Sequence, residues 1–146
     1  MSKGNTFEND LLQLIFNNVD IADIGDASGL QNSATAGSLY IALHTADPGE
    51  AGTAATSESA YGSYARQAVA RSGAGWTVST NTATNAALIQ FPECTSGSET
   101  ITHVSITTSV SGTSKILYSG ALTASRSVSS GIQPQFAASA LTVTED

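Results

Sequence analysis

From Ser38 onward the chain alternates. In Ser38–Thr45 (SLYIALHT), Leu39, Ile41 and Leu43 point one way and Tyr40, Ala42 and His44 the other, the period of a pleated strand. Asp47-Pro48-Gly49 follows; there proline presets φ at one central turn position and glycine accepts a positive φ at the next. The same pattern recurs to the end of the chain. It predicts strands at Tyr64–Ala70, Trp76–Ser79, Ala83–Phe91, Ile101–Thr108, Lys115–Leu122, Ser127–Ser129 and Ala140–Thr144. Gly73-Ala74-Gly75, Ser96-Gly97-Ser98, Ser111-Gly112 and Ser130-Gly131 separate them. About eight short strands at this spacing argue an antiparallel sandwich or barrel. The absence of strand–helix–strand alternation argues against a parallel sheet.

The first segment has a different period. Phe7, Leu11, Leu14 and Ile15 recur at helical spacing, with Leu12, Phe16 and Val19 widening the stripe. Asn5 is the expected cap, with Glu8 three residues on completing a capping box; Asn17-Asn18 is a fraying point, with room for a second short turn of helix around Ile21 and Ile24. The chain thus divides into residues 1–37, a helix and linker arm, and residues 38–146, a β domain. So broad a stripe serves either the protein's own core or a docked partner. Val104 and Ile106 share a face, as do Leu141 and Val143, and are core candidates by alternation, with Leu88 and Phe91 closing one end.

Polarity comes from hydroxyls rather than ions. The 146 residues include 21 Ser and 18 Thr but only 12% charged side chains, about half the usual share. Twelve acids against five bases, a net charge of −7, oppose phosphate binding, so no nucleic-acid partner is expected. No apolar run approaches the roughly 20 residues that span a bilayer, and no membrane partner is expected. The opening residues lack the pattern of a secretory signal, so synthesis in a cytosol is expected, where the lone Cys94 stays reduced. Ending an apolar strand with no His or Lys beside it, Cys94 reads as a buried small hydrophobe.

Few residues suggest chemistry. His44 and His103 fall inside strands, opposite the core positions, as half-exposed structural histidines. No nucleophile elbow, zinc-protease helix motif or phosphate loop occurs, and hydroxyls without a positioned base are not nucleophiles. No catalytic residue, metal ligand or cofactor is expected. Asp20, Asp23 and Asp26 could surround a cation but lack a glycine-bearing ligand loop, so they read as a solvated turn. Trp76, Tyr40, Tyr61, Tyr64 and Tyr118 could serve a glycan surface, yet at strand positions they read as core edge or interface. Charge is uneven: residues 1–58 hold eight acids and one base, whereas Arg66, Arg71, Lys115 and Arg126 outnumber Glu93 and Glu99 in residues 59–144. Such a chain can pair with copies of itself or with a charged scaffold.

Several stretches carry a resemblance. Leu39-Tyr40-Ile41-Ala42-Leu43-His44-Thr45-Ala46-Asp47-Pro48-Gly49 is the most specific. Tyr64–Val69, Asn85-Ala86-Ala87 with Phe91-Pro92, Thr102–Ile106, Leu117–Leu122, Phe136-Ala137-Ala138 and Ala140–Val143 continue it. Together they resemble a family of small tailed-bacteriophage structural proteins over nearly the whole chain. The resemblance implies a virion component with a jelly-roll-like antiparallel β-sandwich and no catalytic residues. Relatives are labelled tail or tail-fiber proteins, while the form with the helix Asn5–Leu12 is similar to capsid cement proteins.

The expectation is therefore an all-β, jelly-roll-like sandwich of about eight strands with an N-terminal helix, acting as a capsid decoration protein on the outer shell. Its partners would be the major capsid protein and copies of itself, as dimer or trimer. The bridging surface would be Phe7, Leu11, Leu14 and Ile15, with the Glu50–Gly62 loop second. A tail-associated or tail-fiber protein is the alternative, and a host-glycan-binding module the third. Neither heptads nor collagen-like triplets supply a fiber stalk.

Overall fold

A computed structural model describes residues 1–146. It is all-β and antiparallel apart from one N-terminal helix, α1 (Asn5–Asn17). The strands are β1 (Ser38–His44), β2 (Gln67–Ala70), β3 (Trp76–Ser79), β4 (Thr82–Asn85), β5 (Ile89–Gln90), β6 (Ser98–Thr107), β7 (Ile116–Ser129), β8 (Gln135–Phe136) and β9 (Thr142–Thr144). They form sheets ordered β2-β1-β6-β7, β3-β4-β9 and β5-β8. Contacts group Met1–Ser38, Val69–Leu88 and Phe136–Asp146 as one unit, and Leu39–Ala68 with Ile89–Gln135 as a second. The helix and the stretch after it thus share a unit with two later parts of the chain.

In the first unit α1 packs on β3 and β4. Its buried face is Glu8, Leu12 and Phe16, four residues apart and so stacked on one side. Phe16 meets Trp76 of β3 with ring centroids 4.6 Å apart and planes tilted by 58°, a favoured aromatic geometry. The cap differs from expectation: Asn5 is already helical, and Gly4 takes the cap position without a side-chain bond. The Glu8 N–H instead reaches the Gly4 carbonyl at 3.1 Å, so no capping box forms. At the other end Asn18 turns left-handed (φ 57), and the Val19 N–H bonds the Gln13 carbonyl at 3.2 Å. Two further orphan carbonyls are taken by Arg71, whose Nε donates to Ile15 O at 2.7 Å and Nη2 to Leu14 O at 2.6 Å. The last turn of α1 has no base of its own, so Arg71 supplies the cation that a helix C-terminus favours.

The predicted strand Ala83–Phe91 breaks after Asn85. This buried amide donates to the carbonyls of Ala87 and Ala137, both at 2.8 Å. Bonding the carbonyl two residues on draws the backbone out of the β4 ladder. Leu88, in the break, is 53% exposed rather than core, whereas Phe91 is fully buried.

The second unit is built around β1, which pairs β6 from Tyr40↔Thr107 to His44↔His103. Ile41, Ala42, Leu43 and His44 are all buried, so β1 is covered on both faces where one wet face was expected. Ile101, Ile106, Phe91, Cys94 and Val128 complete this core. Lys115–Leu122 and Ser127–Ser129, expected as two strands, are one 14-residue strand, β7, at the sheet edge. A bulge lets it run through: Ile101 pairs Arg126 and His103 pairs Ala121, so Leu122–Ser125 oppose Thr102 alone.

Candidate interaction surfaces

The largest polar assembly lies in the second unit and begins at His44. Its Nδ1 faces the Thr56 carbonyl at 2.9 Å, so that nitrogen carries the proton and donates. Nε2 then accepts from the Ser105 hydroxyl at 2.7 Å. Burial holds the imidazole pKa below its ordinary value, against the raising effects of the Thr56 bond and of Glu58. The pair has the contact of a nucleophile and its base, but His44 is 0% and Ser105 1% exposed. Without a route to either atom, the pair serves to hold a loop. His44 is accordingly not the half-exposed histidine expected, because β1 is interior to its sheet.

Beside it, Arg66 Nε and Nη2 donate to the two Glu58 oxygens at 2.6 and 2.7 Å. Nη1 reaches Ser109 O (3.0 Å) and Ser114 Oγ (3.1 Å), and Nη2 also reaches Gly112 O (2.8 Å). The hydrogen bonds to Glu58 raise the Arg66 pKa. The Tyr64 hydroxyl accepts from the Leu43 N–H at 3.0 Å and donates to Glu58 Oε1 at 3.1 Å, while burial pushes its phenol pKa up. Tyr61 donates to Pro92 O at 2.9 Å, and burial raises its phenol to about 12. One guanidinium therefore fastens the 109–114 turn to the Glu50–Gly62 loop, and Thr45 N–H to Ser57 O (2.9 Å) fixes that loop to the end of β1.

The fastened loops wall an open groove of about 700 Å³, lined by Gly49, Glu50, Gly52 and Thr53 on one side and Thr113–Ser119 on the other. Gly49 holds φ 68, with its N–H on Asp47 Oδ1 at 2.9 Å, and Ala54 N–H bonds Ser114 O at 3.0 Å. The second bridging surface expected from sequence, the Glu50–Gly62 loop, thus contributes this wall. One acid, one base, hydroxyls and Tyr118 line the groove; it offers hydrogen bonds but no gathered chemistry.

The helical candidates fall outside the buried face of α1. Phe7 is 38% exposed, and Leu11, Leu14 and Ile15 are half-buried. Phe7, Leu11 and Leu14, at i, i+4 and i+7, lie along one side of the helix, and Ile15 borders the core face. Asp20 accepts from the Asn32 N–H at 2.6 Å, and Asp26 from the Ser28 (2.8 Å) and Gly29 (3.2 Å) N–H groups. These carboxylates shape turns; nowhere do three His, Cys, Asp or Glu side chains gather as a metal set. Trp76 and Tyr61 are buried, so they offer no surface for a sugar ring. His103 bonds its neighbour, Nδ1 to Thr102 Oγ1 at 2.9 Å.

Sequence reasoning missed the roles of Arg66, Arg71 and Asn85, and the single long β7. Scarcity was the available signal: with five bases in 146 residues, each base is a candidate for a specific bond rather than for solubility.

Residues 2–144 match the model of a family described as "Podophage GP4 fiber I protein gp80". No curated protein matches the chain.

Proposed function

Because the chain belongs to the podophage GP4 fiber I protein gp80 family, and is thereby a structural protein of a phage virion, we propose that it is a fiber component carried with the tail. The observation that carries this reading is the family's description, matched over residues 2–144. It is preferred to capsid decoration because that description names a fiber. On this reading the protein works by contact and not by catalysis. Its one Ser–His pair is sealed, and the Asp20 and Asp26 carboxylates are engaged by backbone. A loop fixed by Arg66 and Glu58 at 2.6–2.7 Å gives a surface that keeps its shape when bound, which lowers the ordering cost of assembly. Its partners would be other virion proteins and further copies of itself; the net charge of −7 disfavours nucleic acid.

Immunogold labelling of purified virions, with the copy number per particle measured against the major capsid protein, tests the placement. Label at the tail and a few to a few dozen copies are expected. Label over the whole shell, at a simple fraction of the capsid protein, would establish capsid decoration instead. Absence from virions would overturn both.

A further inference from the structure

Fixed walls and unused head groups coincide at the groove between the 49–53 turn and residues 113–119. Its volume of about 700 Å³ falls within the roughly 300–1,000 Å³ of ligand sites. The two walls are tied directly, Ala54 N–H to Ser114 O at 3.0 Å. They are tied again through Arg66, which holds Glu58 on one side and Ser109, Gly112 and Ser114 on the other. The turn closes on itself, Gly52 N–H to Gly49 O at 3.1 Å, and a side chain at Gly52 would come within 2.0 Å of the Pro48 carbonyl. A ligand therefore meets walls already in place, which lowers the ordering cost of binding.

Glu50 and Lys115 line opposite walls, and both are exposed. The ion pairs of the chain are Lys3–Glu145 and Arg66–Glu58, so neither head group is taken, and the two charges in the groove cancel. Around them stand the hydroxyls of Thr53, Thr113 and Ser119 and the half-buried Tyr118. A sugar matches this set. Each of its hydroxyls both donates and accepts, a carboxylate accepts from two neighbouring hydroxyls, and an ammonium donates to the oxygens between. The C–H face of a sugar ring suits an aromatic surface. Other ligands match less well. A phosphate chain needs more than one lysine on a protein of net charge −7. A peptide anchors its side chains in apolar pockets, whereas the 49–53 wall offers backbone, one hydroxyl and one carboxylate. Glycoside cleavage takes two carboxylates flanking the bond; Glu50 alone lines this groove, so a glycan held here stays whole.

We propose that this groove binds a neutral oligosaccharide segment of a longer glycan, with Glu50 and Lys115 fixing its hydroxyls and Tyr118 carrying one ring. The groove is open rather than enclosed, so a chain of sugars passes through it with both ends in solvent. Such a site has modest affinity by itself, and copies displayed together on one particle multiply it. The inference goes beyond the fiber assignment: it concerns the purified chain and does not depend on where the virion carries it.

Binding of the full chain to a printed array of bacterial surface polysaccharides and short oligosaccharides, both neutral and anionic, tests it. Saturable binding to neutral glycans is expected, with the glycan recovered uncut. Thr113→Trp, which fills the groove from an exposed position, should weaken binding at least tenfold with the circular dichroism spectrum unchanged. Glu50→Gln with Lys115→Met should do the same; if Thr113→Trp misfolds, this pair decides. Binding to no glycan, or binding that the groove variants leave unchanged, would overturn the proposal. So would binding confined to anionic glycans and lost in high salt, which marks charge alone. Self-association in sedimentation velocity that Thr113→Trp abolishes would also overturn it, by making a second copy the occupant of the groove.

Discussion

Asn85 and Leu141 bond each other twice. The Asn85 N–H reaches Leu141 O at 3.2 Å, and the Leu141 N–H returns to Asn85 Oδ1 at 2.8 Å. With the amide nitrogen on Ala87 and Ala137, one fully buried side chain closes β4 and fastens the segment leading into β9. Asn85→Ala leaves two carbonyls and one N–H without these partners, each costing about 1 kcal/mol or more. Loss of about 3 kcal/mol is expected in urea unfolding, with the earliest hydrogen exchange in residues 137–144.

Arg71 acts on a helix from outside it. Arg71→Met removes two bonds to α1 carbonyls and the charge at its C-terminus, for an expected loss of about 1–2 kcal/mol. Hydrogen exchange should speed up in the last turn of α1. An unchanged exchange pattern would mean that water replaces the guanidinium at no cost.

Leu11 and Leu12 are neighbours with opposite fates. Leu11 is half-buried beside Phe7 and Leu14, whereas Leu12 is fully buried. Leu11→Asp should cost under about 1 kcal/mol and leave the far-ultraviolet circular dichroism native, while weakening attachment to virion partners. Leu12→Asp places a charge in the core of the first unit and should abolish its folding. If both variants unfold, the stripe belongs to the core alone.

The Arg66–Glu58 pair should be asymmetric to mutation. The Arg66 side chain is 1% exposed, and Arg66→Met takes the guanidinium from Glu58 and from three loop acceptors, for an expected cost of about 3 kcal/mol. Adding Glu58→Gln should recover part of the loss, as a double-mutant cycle by chemical denaturation would show. No recovery would mean that the bonds to Ser109, Gly112 and Ser114 carry the effect.

His44 gives the fold an acid limit. Its folded pKa lies below the 6.5 of a free histidine, so the unfolded chain binds the proton more readily. The contribution of neutral His44 is complete above pH 6.5 and falls as pH drops through that value toward the folded pKa, with a slope of up to about 1.4 kcal/mol per pH unit. Urea midpoints between pH 7.5 and 5 should fall more steeply for wild type than for His44→Gln. Parallel curves would place the acid sensitivity in the carboxylates.

Much of the architecture was legible in the sequence, and its limits were physical. Alternation and turn chemistry located β1, β3 and β9, and helical spacing located α1; β3, β9 and α1 bury one face at their own period. Alternation misjudged His44, since a central strand covered on both faces keeps alternation in its spelling and loses it in its environment. Asn85 broke a predicted strand through side-chain bonds to residues 2 and 52 positions away, which no local window registers. The β7 bulge joined two predicted strands because extra residues can leave a ladder without ending it. The Phe7–Leu11–Leu14 side of α1, half-buried but for Phe7, follows from helical spacing, whereas the edge position of β7 does not, because an edge is a property of the sheet.

Both ends of the chain lie in the first unit: Lys3 Nζ stands 3.1 Å from Glu145, and the Glu145 N–H bonds Asn81 O at 2.9 Å. The second unit is made of Leu39–Ala68 and Ile89–Gln135, two excursions that each leave and re-enter the first. Tension applied at residues 1 and 146 is therefore carried by the first unit alone. The second, with its groove, bears no load until the first gives way.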